Sequence, residues 1–176
     1  MFETRITKLF GIKYPIIQGA MGHISHAELA AAVSNAGGLG VLVSATLDST
    51  DVLRDQIRKV KSLTDKPFAV NINLFPAQRP LNTDACIDIV ADEGVKFVES
   101  SGRSPEPFMK HFKERGLIVM HKTAGVRFCQ TAERVGVDAV ANVGYEGGGH
   151  PGMDDVSLMI LIPKTVDAVK VPVVAA

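Results

Sequence analysis

Short apolar runs rich in β-branched residues alternate along the chain with longer segments whose apolar positions recur every three to four residues. The runs occupy residues 15–19, 39–43, 68–73, 95–99, 117–121, 139–143 and 171–175. Apolar runs of about five residues suit the strands of a parallel sheet covered by helices. The intervening segments predict helices over 25–36, 51–63, 83–93, 105–115, 124–135 and part of 154–169. Ser25 and Glu28 have the spacing of a capping box, and Gly37-Gly38 ends the helix that follows. In the second helix Val52, Leu53, Ile57 and Val60 share one face, which leaves Arg54, Asp55, Arg58, Lys59 and Lys61 on a solvated one. Pro163 interrupts or bounds the last helix.

Repeated strand–helix units with right-handed crossovers give either a closed eight-fold barrel or an open doubly wound sheet. The carboxyl ends of most runs carry polar or Gly-rich residues: Gln18 to Gly22, Asn71 and Asn73, Glu99 to Gly102, His121 to Thr123, and the stretch after Val143. A barrel spreads its site over all the loops of that face, whereas an open sheet gathers it at one switch point. The expectation is therefore an α/β fold, an incomplete (βα)8 TIM barrel with about seven strands and six helices. A full barrel takes about 250 residues. Residues 1–176 thus read as the N-terminal part of one such domain, with unpaired edges that invite self-association.

Composition narrows the function without naming it. The 176 residues are 46% hydrophobic and 22% charged, which is a core-forming composition. Nineteen basic and 19 acidic side chains cancel, so nothing calls for nucleic acid or a membrane surface. The amino terminus lacks a signal-like apolar stretch, and no apolar run reaches the length of about 18 residues that a membrane span needs. Two cysteines, Cys86 and Cys129, are too few for a disulfide framework and fall on predicted core faces. The expectation is a cytoplasmic protein with a small-molecule substrate. No set of side chains has metal-ligand spacing, and His23 and His26 read as helix-start residues.

The strongest local signal is Gly144-Tyr145-Glu146-Gly147-Gly148-Gly149-His150-Pro151-Gly152 after the sixth run. Its glycines allow backbone N–H groups to approach a flat cofactor or a phosphate, and His150 can take a substrate proton. The plainer alternative is a surface turn with an idle histidine. Lys122 can meet a phosphate or an anionic cofactor, or can simply be solvated. Asn71 and Asn73, two apart on a strand, share a face; alternatively they only shape the turn after it. At the first run's end, backbone groups of Gln18-Gly19-Ala20-Met21-Gly22 can reach a ring edge, and Met21 can pack on the ring or fill the core.

Together these stretches resemble the nitronate monooxygenase family of FMN-dependent (βα)8 enzymes. The resemblance is carried by Pro15-Ile16-Ile17-Gln18-Gly19-Ala20-Met21, Ala36-Gly37-Gly38-Leu39-Gly40, Lys66-Pro67-Phe68-Ala69-Val70-Asn71, His121-Lys122-Thr123, Gly136-Val137-Asp138-Ala139-Val140 and Glu146 to Gly152. It looks closest to the branch of NADH:quinone reductases, through His121-Lys122 and Leu74-Phe75-Pro76-Ala77-Gln78-Arg79-Pro80. The resemblance implies FMN contacts from Ala20, Met21, Gly22, Asn71, Asn73, Lys122, Gly149 and Ala176, with His150 as the active-site histidine. It also implies that the Gly-rich turns binding the FMN phosphate lie beyond Ala176. The implied activity is oxidation of alkyl nitronates with oxygen. The alternatives are NADH:quinone reduction with NADH as donor, enoyl-thioester reduction, and an inactive truncated fragment.

Overall fold

The computed structural model describes residues 3–76, 81–152 and 154–176. Six of the seven apolar runs form strands: β1 (Gly40–Val43), β2 (Phe68–Asn73), β3 (Phe97–Ser101), β4 (Ile118–Thr123), β5 (Ala139–Asn142) and β6 (Val173–Ala175). They pair in parallel in chain order, β1-β2-β3-β4-β5-β6. Around them lie α1 (Arg5–Phe10), α2 (Ala27–Ala36), α3 (Thr50–Leu63), α4 (Thr83–Asp92), α5 (Glu106–Glu114), α6 (Val126–Arg134) and α7 (Leu158–Ala168). The unbroken chain order is the winding of a (βα)8 barrel, here incomplete, because a doubly wound sheet reverses direction at its switch point.

Two expected elements change. The first apolar run makes only one bridge, Ile17 to Leu39, and is not a seventh strand. The Gln18 side chain explains why. Its amide accepts from Val41 N at 3.3 Å and donates to Val41 O at 3.1 Å, which replaces the next rung of a ladder while the backbone turns away. Conversely α1 adds a helix to the six expected. It is too short for its apolar period to register, yet Thr4 and Thr7 cap it reciprocally and Gly11, at φ 66°, ends it.

Alternate strand residues feed two separate cores. Leu42, Val70, Ile72, Val98, Val119 and Val140 pack outward against the helices. Val41, Ala69, Met120, Ala139 and Ala141 pack inward, and Ile6, Phe10 and Ile12 reach this inner core from α1 and the residues after it. The Phe10 ring meets Phe97 edge-on at 5.2 Å. Cys86 and Cys129 are free and buried, and burial pushes both thiols up to about 11. Among the described residues no helix is long and apolar enough to cross a membrane.

Two local expectations also change. Ser25 does not cap α2, whose N-cap is His26 without a side-chain bond. Nor is the charged face of α3 simply solvated. Arg54 and Arg58 reach the Glu93 carboxylate at 2.8 and 2.9 Å, Lys61 donates to the Glu93 carbonyl, and Lys59 pairs with Glu28. These pairs hold the Glu93 carboxyl below the usual carboxylate range, with Arg58 contributing most.

The third and fourth strands end later than their apolar runs suggest, so Ser100, Ser101, Lys122 and Thr123 also lie within strands. Ser100 and His121 have outward parity. The helix layer buries them, and Ser100 Oγ lies 3.0 Å from His121 Nδ1. Burial pushes the imidazole down to about 4, so it is neutral in the folded protein. Close packing is most acute at Gly40, where an added Cβ would lie 1.9 Å from the Ala30 carbonyl oxygen of α2.

Two outcomes follow from this packing. Gly40→Ala is expected to destabilise the fold by about 3 kcal/mol or more. Gly148→Ala, whose Cβ meets nothing within 4 Å, should change stability by no more than about 0.5 kcal/mol. Urea unfolding of both variants checks this. The second outcome concerns pH. An unfolded histidine near 6.5 binds a proton that folded His121 refuses until about 4, so stability falls as pH drops through that window. The loss from His121 is about 2 kcal/mol between pH 7 and 5. Because Glu99 and His111 shift upward and act in the opposite sense, the contribution is read as the difference between the pH profiles of wild type and His121→Gln.

Candidate active site

Inward parity at the carboxyl ends of the strands gathers polar groups into two successive levels. Register aligns Asn71 with Glu99 and Glu99 with Met120 on the lower level. One level higher, Asn73 aligns with Ser101, Ser101 with Lys122, and Lys122 with Ala141. Asn71 Nδ2 donates to Glu99 Oε2 at 3.0 Å, with Ser101 Oγ at 3.2 Å and the Glu99 carbonyl at 3.3 Å. Asn71 Oδ1 accepts nothing from the described residues. Burial raises the Glu99 carboxyl above its ordinary range, opposed by the Lys122 charge, the Asn71 amide and the Ala20 backbone N–H. Among the described residues Lys122 forms no salt bridge, so its charge is free to act on a bound anion and acts on Glu99 through space. Asn73 differs from Asn71: it is half-buried, and its Oδ1 accepts from Phe75 N at 3.2 Å, shaping the turn.

The loop after Gln18 folds around the buried Ser25. The Ser25 hydroxyl accepts from Met21 N at 2.9 Å and from Gln18 Nε2 at 2.7 Å. The Met21 N–H is therefore spent inside the loop, and its carbonyl accepts from Ile24 N and Ser25 N. The Ala20 carbonyl and the Gly22 N–H are among the backbone groups of this loop that take no partner among the described residues, so a ligand could meet them. The Met21 side chain is exposed above this loop.

The rim is built from the loops after β2, β3 and β5. Phe75 stacks on His150 with ring centroids 5.9 Å apart and an interplanar angle of 25°. Gly102, at φ 98°, lets the β3 loop approach Phe75 so closely that a Cβ there would lie 2.6 Å from the ring. Gly149 and His150 are exposed on this rim, and no hydrogen bond joins them to Asn71 or Lys122. Ala176 lies beside the same loop: its N donates to Asn142 O at 3.1 Å and its carbonyl accepts from Gly144 N at 3.3 Å. Glu146 fastens the loop to α7, accepting from Ser157 Oγ at 2.6 Å and Leu158 N at 3.1 Å. Those bonds, Ser157 first, hold its carboxyl below the usual range. Beside the mouth, a cavity of about 420 Å³ opens between Asn73, Phe75, Thr83, Cys86, Arg103 and Phe108. Residues 77–80 of the proline-flanked stretch lie outside the described residues.

The structure therefore joins Asn71 to Glu99 and Ser101, sets Lys122 one level above Asn71 and Glu99, and places His150 on the rim against Phe75. Glu99 and Ser101 were expected on the site face but given no role in the site, and Phe75 was expected only within the proline-flanked stretch. A charged residue interrupting the β-branched run at Val98 was a signal for Glu99, but its partners come from other strands. Among the described residues no group of three or more His, Cys, Asp or Glu side chains could hold a metal ion.

A family model described as nitronate monooxygenase matches residues 3–176. The 5-hydroxy-7a-methyl-1-oxo-octahydro-1H-indene-4-carboxyl-CoA dehydrogenase of Rhodococcus jostii is 37% identical, over 99% of this chain and 47% of its own length. A probable nitronate monooxygenase of Staphylococcus saprophyticus is 33% identical, over 99% of this chain and 60% of its own. The structure of a FabK (M276A) mutant from Thermotoga maritima superposes with a TM-score of 0.91 at 36% identity, covering 99% of this chain and 56% of that one. The chain thus spans about half the length of these relatives.

The tie from Glu146 to α7 has a measurable consequence. Glu146→Gln should speed amide hydrogen exchange at Leu158 and across residues 144–150, while exchange in β2 and β3 stays at the wild-type rate. Mass-spectrometric exchange resolved by peptide reads both regions.

Proposed function

The chain belongs to the nitronate monooxygenase family, and on that premise we propose that it forms the substrate-facing part of an FMN-dependent oxidoreductase acting on alkyl nitronates. The observation that carries this reading is the polar floor of Asn71, Glu99, Ser101 and Lys122 within an otherwise apolar inner core. The residues present fit a flat, polar-edged ring. The Ala20 carbonyl, the Gly22 N–H and Asn71 Oδ1 have no partner among the described residues, and Lys122 brings a positive charge that forms no salt bridge among them. When bound, FMN would supply the two-electron chemistry that no side chain here can perform.

The chain's own residues bind and orient. Lys122 favours excess negative charge at the ring edge, and Asn71 sets the ring's position from the floor. Phe75 holds the His150 imidazole on the rim, where it can take the proton next to a nitro group or hydrogen-bond a nitronate oxygen. Gly149 gives the backbone before His150 room to lie against a ligand. The surroundings proposed for this chemistry are cytoplasmic, and the sheet edges at β6 and Ile17 are the proposed route of self-association.

A second reading is favoured by the cavity beside the mouth. Its apolar walls at Phe75 and Phe108 and its Arg103 suit a substrate carried as a thioester, and the Rhodococcus relative is named for a carboxyl-CoA substrate. NADH would then be the electron donor, as it would in quinone reduction.

Mixing the 176-residue chain with FMN, desalting it and recording its visible spectrum tests the cofactor assignment. A retained, perturbed flavin spectrum is expected, and complete loss of flavin overturns the reading for this chain. In the retained complex His150→Ala should lower turnover of a neutral nitroalkane by about 100-fold and leave nitronate turnover within a few-fold. Equal losses on the two substrates exclude His150 as the base. Rapid anaerobic bleaching by NADH, with no nitronate turnover, would favour the second reading.

A further inference from the structure

We propose that Glu99 is a positioning residue that locks the Asn71 amide with its carbonyl turned to the mouth, so that the site selects a ring bearing an N–H donor. The inference rests on the FMN reading above and deepens it. An amide can sit either way round, and its surroundings decide which. Three acceptors face Asn71 Nδ2: Glu99 Oε2 at 3.0 Å, Ser101 Oγ at 3.2 Å and the Glu99 carbonyl at 3.3 Å. Turning the amide over would set its carbonyl oxygen against the Glu99 main-chain oxygen, which only accepts, and against the Glu99 carboxylate, which only accepts while it is ionised, leaving the Ser101 hydroxyl as the one group able to turn and donate.

The other end of the amide is the informative one. Oδ1 has no donor among the described residues, yet no fully buried side-chain oxygen or nitrogen there lacks a partner. Asn71 is 3% exposed as a whole, so its small opening to the mouth lies at Oδ1. A buried acceptor aimed at a binding site favours a ligand that brings a donor, and penalises one that leaves it unpaired. The oxidised flavin ring carries one N–H, that of its imide, which makes the imide edge the proposed partner of Asn71. Glu99 itself touches no ligand in this arrangement. It is buried on the lower level, where the Lys122 charge and the Ala20 N–H favour its ionised form.

Glu99→Gln keeps the shape but offers Asn71 either a donor or an acceptor, so the amide is no longer forced. The test compares binding of FMN and of FMN methylated at the imide nitrogen, by fluorescence titration of the full chain. Wild type should prefer FMN by about tenfold or more, and Glu99→Gln should reduce that preference to about threefold or less. Equal binding of the two flavins by wild type, or an unchanged preference in Glu99→Gln, overturns the proposal. A structural role alone would weaken both flavins in parallel and leave their ratio untouched.

A second measurement needs no flavin and no folded Glu99 variant. In the ligand-free wild type, the Asn71 side-chain NH2 signals, assigned by their loss in Asn71→Asp, should be shifted downfield and slow to exchange with solvent. Ordinary shifts with fast exchange would refute the lock whatever binds. Failure of both proteins to bind either flavin, with the amide locked, counts against the cofactor reading and leaves the hold of Glu99 on Asn71 supported.

Discussion

Parallel pairing in chain order leaves each strand little freedom over which side chains face inward. The rungs from Asn71 to Glu99 and from Ser101 to Lys122 fix the parity of β2, β3 and β4 together. A slip of one residue in β3 would bury Glu99 under the helices and turn Ser100 toward the mouth. The apolar residues on the same strands oppose such a slip, because Val98 belongs to the outer core and Phe97 packs against the inner one. The polar floor is thus held by hydrophobic burial one and two residues away, and the candidate chemistry depends on it.

Floor and rim are built to different standards. Asn71, Glu99, Ser101 and Lys122 stand on paired strands, where backbone geometry is fixed by several neighbours. His150, Gly149 and Phe75 stand on loops, and each loop is fastened at a few points: Gly102 against Phe75, Glu146 against the start of α7, and Ser25 beneath Met21. Rigid strands suit recognition of a ring, whereas a loop-borne histidine can adjust as substrates enter and leave.

Neighbours in sequence have opposite fates here. His121 and Lys122 stand together in the resemblance, yet strand parity sends one under the helices and the other to the mouth. The buried imidazole is neutral and satisfied by Ser100, a structural part whose only visible pH effect is on stability. Asn142 is similar, donating to Thr165 at 2.6 Å and accepting from Gly125 N at 2.9 Å behind the sheet. Polar residues at strand ends therefore serve two purposes, and the face they occupy decides which.

The sequence by itself determined the alternation of strands and helices, the parallel sheet, and the shared strand of Asn71 and Asn73, because local periodicity depends only on residues close along the chain. It also carried the family, since the glycine and polar stretches keep their order and spacing. The tertiary structure decided what no local pattern contains. Gln18 ends the first strand by bonding to Val41, 23 residues away. Ser25 leaves its expected cap because Met21 and Gln18 compete for its hydroxyl. α1 is a helix because the barrel floor gives Ile6 and Phe10 a place to be buried. Glu99 enters the site because Asn71, Ala20 and Lys122 converge on it from three other segments, and a buried carboxyl is tolerable only where such partners meet it.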